Sequence, residues 1–228
     1  MTTEVVGPDD LAARVDRVRN RIADAGGDPA AVTLLAVTKG FGPEVALAAA
    51  RAGLHELGEN YAQELVAKAP VLAAEVHAGA VEAVRWHFIG RLQRNKVRAL
   101  APHVGLWQSV DRASLGEEVA RRAPGAAVLV QVNATDEPQK GGAAPADVAD
   151  LVGRLVDLGL MVDGLMTVGR TGSPADARAG FDLVTRLADD LDLPVRSMGM
   201  SGDLEVAVAA GSTMVRVGTA LFGARPGT

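Results

Sequence analysis

A lysine stands directly behind an apolar, β-branched run: TLLAVTK, residues 33–39, ends in Lys39. A strand end pins the backbone and holds the amine partly out of water. Desolvation disfavours the ammonium form, and the neutral amine it favours is a nucleophile toward aldehydes. Alone, such a lysine reads first as a side chain snorkelling to solvent. Two further pairs bear on the choice. Ser201-Gly202 follow a second apolar run, and Gly218-Thr219 close a third. Small residues let backbone N–H groups approach an anion, hydroxyls add donors, and a helix start adds a favourable dipole. Arg216 lies on the last run, where its charge needs a partner or a ligand, Glu59 being one candidate.

These residues act together only if the fold brings them to one place. Strand-like runs occur at 33–39, 54–60, 85–90, 105–110, 127–133, 161–168, 195–200 and 213–218. Helical spacing fills 43–52, 61–74, 111–122, 146–158, 174–191 and 203–210, and a further helix at 9–25 precedes the first strand. Asp111 and Ser173-Pro174 read as helix starts, and Gly53, Gly159 and Gly211 as stops. Strict alternation predicts an α/β fold of parallel strands with right-handed crossovers. Eight such units over 228 residues predict a single (β/α)8 TIM-type barrel spanning 1–228, with an extra N-terminal helix. The open doubly wound sheet is the alternative, but Thr38-Lys39-Gly40-Phe41-Gly42 lacks the G-x-G-x-x-G turn. The loop 134–145 is long and polar and reads as a mobile loop at the barrel top.

Barrel enzymes place functional residues at the C-terminal strand ends, and the loops after strands seven and eight often bind phosphate. That rule gathers Lys39, Glu59, Asn60, Tyr61, His87, Gly90, Asn133, Met166, Thr167, Met200, Ser201, Gly202, Arg216, Gly218 and Thr219 on one face. Lys39, the Ser201 and Gly218-Thr219 loops and Arg216 are the sharpest of them. An amine beside a phosphate cup suits an aldehyde-bearing phosphate ester, and pyridoxal 5′-phosphate (PLP) is the commonest such cofactor. A guanidinium facing the pyridine nitrogen would keep that nitrogen unprotonated and the ring a weak electron sink. His87, inside a strand, reads as a packed barrel histidine rather than a general base. Lys140 reads either as a lid over the pocket or as a surface lysine. Arg91, Arg94, Lys96 and Arg98 read as a solvated helix face.

Composition narrows the classes. A net charge of −5 argues against nucleic acid as a partner. The chain has no cysteine, so thiolate chemistry and cysteine metal sites are absent, and its histidines show no metal-ligand spacing. No apolar run nears the ~20 residues of a membrane span, and the N-terminus does not read as a signal peptide. A cytoplasmic setting, no membrane partner and a monomeric state are expected.

Seven stretches then carry a specific resemblance: LLAVTK around Lys39, ELGENYAQEL from Glu56, WHFIGRLQRNK from Trp86, VNATDEPQKGG from Val132, GLMTV from Gly164, SMGMSGD from Ser197 and GSTMVRVGTALFGAR from Gly211. Collinear over nearly the whole chain, they resemble the PLP homeostasis protein family, the YggS/PROSC-type PLP-binding proteins. The resemblance implies a barrel like the N-terminal domain of alanine racemase, with PLP held as a covalent aldimine on Lys39. It places Ser201, Gly218 and Thr219 at the phosphate, Arg216 at the pyridine nitrogen, Asn60 near the ring, and Met198 and Met200 on the pocket wall. Arg91, Arg94, Thr38 and Gly202 depart from the family pattern without touching these contacts. The implied role is a non-catalytic carrier that buffers PLP and delivers it to PLP-dependent apoenzymes. A racemase-like enzyme is the alternative, for which a second base is missing: the one tyrosine, Tyr61, opens a helix, and no second β domain follows the barrel. A third reading is an interaction protein that uses PLP as a signal of ligand state.

Overall fold

A computed structural model describes residues 6–135 and 137–225. Strands β1 (Thr33–Val37), β2 (Glu56–Glu59), β3 (Arg85–Phe88), β4 (Val104–Val110), β5 (Ala127–Gln131), β6 (Met161–Met166), β7 (Val195–Met200) and β8 (Met214–Val217) form a closed parallel barrel in chain order. β8 pairs back onto β1, with Leu35 opposite Arg216. Helix α1 (Pro8–Asp24) precedes the barrel. Helices α2 (Pro43–Arg51), α3 (Ala62–His77), α4 (Arg94–Leu100), α5 (Ala113–Arg122), α6 (Val148–Asp157), α7 (Arg178–Asp190) and α8 (Leu204–Ala209) link successive strands, and α9 (Thr219–Phe222) follows β8. No helix among the described residues is long and apolar enough to cross a membrane.

Strand parity sorts the side chains into two cores. Leu35, Leu106, Leu129, Met166 and Met214 fill the barrel, whereas Leu57, Trp86, Phe88, Trp107 and Val128 pack outward under the helices. Each fully buried leucine or phenylalanine contributes about 1.5–3 kcal/mol, and with so few aromatics the outer layer depends on aliphatic packing.

Most strands are shorter than the apolar runs suggested, because the runs continue past the regular ladder. Thr38 N–H still donates to Gly58 O at 3.0 Å and Ile89 N–H to Glu59 O at 2.9 Å. Lys39 and Asn60 therefore follow the strands yet keep the alignment the strands impose. Two helices lie outside the runs of helical spacing: α4, read only as the solvated helix face of Arg91, Arg94, Lys96 and Arg98, and α9, a single turn. Asp111 does not cap α5: Arg112 is the N-cap residue, and the Asp111 carboxylate instead accepts from the Arg112 guanidinium at 2.5 Å. Ser173 does open a turn, donating its N–H and hydroxyl to Asp176 at 2.9 Å, but the turn is a 3₁₀ segment, Pro174–Ala177, ahead of α7. The loop 134–145 carries 3₁₀ turns at Pro138–Lys140 and Pro145–Asp147, and Asn133 N–H donates to Ala143 O at 2.9 Å.

Where β2 and β3 end side by side, their backbones nearly touch. A Cβ added at Gly90 would lie 1.9 Å from Asn60 O, a clash with backbone that no rotamer relieves. Gly90→Ala is therefore expected to destabilise the fold by about 1–3 kcal/mol, as overpacking does. A denaturant midpoint equal to wild type would show that the Asn60 turn is looser than described.

Candidate functional site

All seven residues singled out from the sequence line one cavity of about 330 Å³ at the C-terminal end of the barrel: Lys39, Asn60, Met200, Ser201, Arg216, Gly218 and Thr219. Val37, Ile89, Met166 and Val168 supply apolar walls. A larger groove of about 590 Å³ lies between the start of α1 and α2, but its lining, which includes Val6, Leu47 and Ala48, carries no amine or hydroxyl. The cavity with the reactive groups is the candidate site.

Lys39 reaches the cavity because β1 alternates Leu35, Val37 and Lys39 toward the inside. Its amine is half-buried, and burial, reinforced by the Arg225 and Arg216 charges, holds its pKa below the ordinary 10.5; Glu59 partly opposes this. The outward residues beside it form a polar cluster that the sequence reading did not find. Lys68, buried on α3, donates to Thr38 O at 2.8 Å, Glu59 Oε1 at 2.5 Å and Glu64 Oε2 at 3.0 Å. Glu64 Oε2 also accepts the Gly40 N–H at 2.7 Å, and Thr38 Oγ1 donates to Glu59 Oε1 at 2.7 Å. The backbone on both sides of Lys39 is thereby tied to one ammonium and its two carboxylates. Burial pushes the Glu59 carboxyl up, and Lys68 and Thr38 oppose that shift.

The loops after β7 and β8 meet through Ser201, whose Oγ accepts the Ala220 N–H at 3.4 Å. Ser201 is half-buried and Thr219 exposed, so both hydroxyls border open space. Ser201-Gly202 lie in the turn before α8 rather than at its first residue, and α9 is a single turn. Hydroxyls and loop N–H groups, more than helix dipoles, are what this end offers an anion. Met200 lines the cavity but Met198 does not: it is buried in the outer core. The cause is Gly199, whose φ of +92° accompanies a register shift between Ser197 and Met200 and breaks the alternation.

Arg216 is buried, and its partner is not Glu59. Its Nη1 donates to Ser197 O at 2.6 Å and Ser197 Oγ at 2.9 Å, and Nη2 to Thr167 O at 2.8 Å. Glu59 projects from the outer face of β2, so parity separates the two. Burial pushes Arg216 down to about 10, with Asp203 opposing, so the guanidinium stays charged at neutral pH. These bonds use at most three of its five N–H groups, which leaves donors for the cavity it lines.

The remaining candidates fall elsewhere. His87 is buried inside the barrel, bonded to Glu56 and Gln108, and burial holds its pKa below 6.5 against the pull of Glu56. Lys140 donates to Glu137 Oε2 and Gly169 O, each at 2.5 Å, and lines a neighbouring recess rather than the Lys39 cavity. Arg91, Arg94 and Arg98 are exposed, as a solvated face requires. No group of three or more potential metal ligands occurs among the described residues.

The residues fit PLP chemically: an amine for the aldehyde, Ser201 and Thr219 for the phosphate, Arg216 for the ring edge and aliphatic walls for its faces. Asn60 Oδ1 points the same way. It is buried with no hydrogen-bond partner among the described residues, a desolvation cost of about 1–3 kcal/mol that a ligand donor would relieve. Because the Lys39 pKa is lowered, its neutral amine appears at lower pH than for an ordinary lysine. Acylation of the cofactor-free protein, followed peptide by peptide against pH, is expected to show Lys39 half-reactive below pH 10.5. An inflection at or above that value would contradict the environment described.

Comparison with known proteins agrees with this geometry. The family model described as "Alanine racemase, N-terminal domain" matches residues 6–226. The pyridoxal phosphate homeostasis protein of Pseudomonas aeruginosa is 39% identical over 225 residues, 95% of each chain. Among solved structures, an unknown protein from Bifidobacterium adolescentis is 36% identical with a TM-score of 0.87, covering 94% of this chain and 95% of that one. PipY from Synechococcus elongatus, solved with PLP bound, is 30% identical with a TM-score of 0.72, covering 90% of this chain and all of its own. The chain belongs to the alanine racemase N-terminal domain family and, within it, to the pyridoxal phosphate homeostasis proteins.

Proposed function

We propose that this protein binds PLP in the cavity at the end of the barrel, linked as a Schiff base to Lys39, and that it buffers the cofactor and passes it to PLP-dependent apoenzymes. One observation carries the reading: an amine of lowered pKa, two hydroxyls and a buried guanidinium converge on a single cavity of about 330 Å³. The PLP-bound PipY structure and the name shared by the curated relatives support it.

Each residue has a task. Burial of Lys39 keeps more of its amine neutral and able to attack an aldehyde. Ser201 and Thr219 present O–H donors to a phosphate. Arg216, charged and donor-only, would meet the ring edge and disfavour a proton on the pyridine nitrogen. PLP bound to an amine supplies an electron sink for carbanions, and an unprotonated pyridine weakens that sink.

The carrier role is supported by what surrounds the amine. Lys39 and Arg216 are the ionisable side chains lining the cavity. A racemase needs a second proton carrier on the opposite face, and Tyr61, half-exposed at the N-cap of α3, is not in the lining. Met200 is 37% exposed at the rim, so water reaches the site, which suits exchange better than controlled carbanion chemistry.

Absorption spectroscopy with added PLP is expected to show a visible band for the wild-type protein and none for Lys39→Ala. Incubation with L-alanine is expected to give D-alanine no faster than free PLP does. A band that survives in Lys39→Ala would overturn the linkage, and Lys39-dependent racemisation well above the free cofactor would overturn the carrier role.

A further inference from the structure

Five side chains join into one hydrogen-bonded path through the inside of the barrel. Arg216 Nη1 donates to Ser197 Oγ at 2.9 Å, and Ser197 Oγ donates to Gln108 Oε1 at 2.7 Å. Gln108 Nε2 donates to His87 Nδ1 at 2.6 Å, and His87 Nε2 meets Glu56 Oε2. Ser197, Gln108 and His87 are fully buried or nearly so, and Arg216 is 4% exposed. Glu56, at the start of β2, reaches solvent with a side chain 33% exposed. The path thus runs from the cavity at one end of the barrel to water at the other.

Its direction follows from the chemistry of the ends. A guanidinium only donates and a carboxylate only accepts. Ser197 Oγ, accepting from Arg216, donates its own O–H to the carbonyl oxygen of Gln108. The Gln108 amide nitrogen then faces His87, so Nδ1 accepts, the ring proton sits on Nε2, and that proton points at Glu56. Gln108 Nε2 also lies 3.1 Å from Met214 Sδ, an acceptor, which favours the same amide orientation. Every donor points from Arg216 toward Glu56. No link can be reversed alone. An amide turned over would set two donors against Ser197 Oγ and leave the serine proton without its acceptor.

We propose that Glu56, His87, Gln108 and Ser197 are positioning residues for Arg216, acting as one polarised chain that fixes the guanidinium where it lines the cavity. None of the four lines the cavity itself. The contacts of Arg216 are all to neutral oxygens, so the chain supplies orientation without a carboxylate that would neutralise the guanidinium toward a ligand. The role toward PLP rests on the function proposed above.

Two variants test the chain: Gln108→Leu removes its middle, and Glu56→Ala its solvent end. Nitrogen NMR of the guanidinium groups in cofactor-free protein reads Arg216 directly. The Nη signals are expected to be resolved in wild type and broadened by rotation in both variants. With PLP added, Gln108→Leu is expected to bind about tenfold more weakly, the loss of one hydrogen bond to a charged group, and to shift the visible maximum. Wild-type guanidinium signals in either folded variant would overturn the chain, whether or not Gln108→Leu folds. Broadened signals with unchanged PLP affinity and visible maximum would overturn its role toward the cofactor. A wild-type protein that binds no PLP would sink the proposed function instead, and the NMR comparison would still decide the chain.

Discussion

The buried ammonium of Lys68 is the contact on which the site is built. It draws together Thr38 O from β1, Glu59 from β2 and Glu64 from its own helix, and Glu64 in turn holds the Gly40 N–H. Lys39 sits between the two anchored positions. Breaking a buried ion pair by removing one partner typically costs about 3–5 kcal/mol, since the charge left behind has no water. That penalty makes the cluster a rigid mount rather than a source of net stability. The reactive amine can be half-exposed at a strand end and still be held in place, because its backbone is fixed from behind.

Two polar systems therefore flank the cavity, separated by the parity of the strands. The Lys68 cluster lies outside the barrel wall, between β1, β2 and α3, and orients the amine. The path from Glu56 to Arg216 lies inside the wall and orients the guanidinium. Neither shares a residue with the other. The sheet itself is the partition: Glu59 and Glu56 are both on β2, three residues apart, and face opposite sides. Desolvation acts on both systems, lowering the Lys39 and Arg216 pKa values alike, so the two cations that line the cavity are each held out of water by the structure behind them.

The fold and the lining of the site were legible in the sequence because both depend on local patterns. Alternating periods identified the eight strands, and the strand-end rule gave a longer list from which the family resemblance picked out the seven residues that line the cavity. What escaped depends on closure of the barrel. Gln108 and Ser197 are distant in sequence and look like ordinary polar strand residues. Only the register of β4, β7 and β8 across the interior brings them together. Strict parity would have removed Glu59 as a partner for Arg216, since Glu59 shares the outward face of Thr38. Parity also puts Met198 outward, where it lies, and fails instead at Met200, because Gly199 adopts a backbone that resets the alternation and lets Met200 reach the cavity. Asp111 failed as a cap because α5 starts one residue later than the spacing suggests, with Arg112 at the N-cap.

The central claim is that one particular amine, positioned from behind by Lys68, carries the cofactor. The chain has four lysines, at 39, 68, 96 and 140, on separable stretches of sequence. Borohydride reduction of the PLP-loaded protein, followed by digestion and mass spectrometry, reports which of them holds the ring. The account predicts a phosphopyridoxyl group on Lys39 at near one equivalent. Labelling that falls instead on Lys140 or Lys96, or is shared evenly among the lysines, would contradict it.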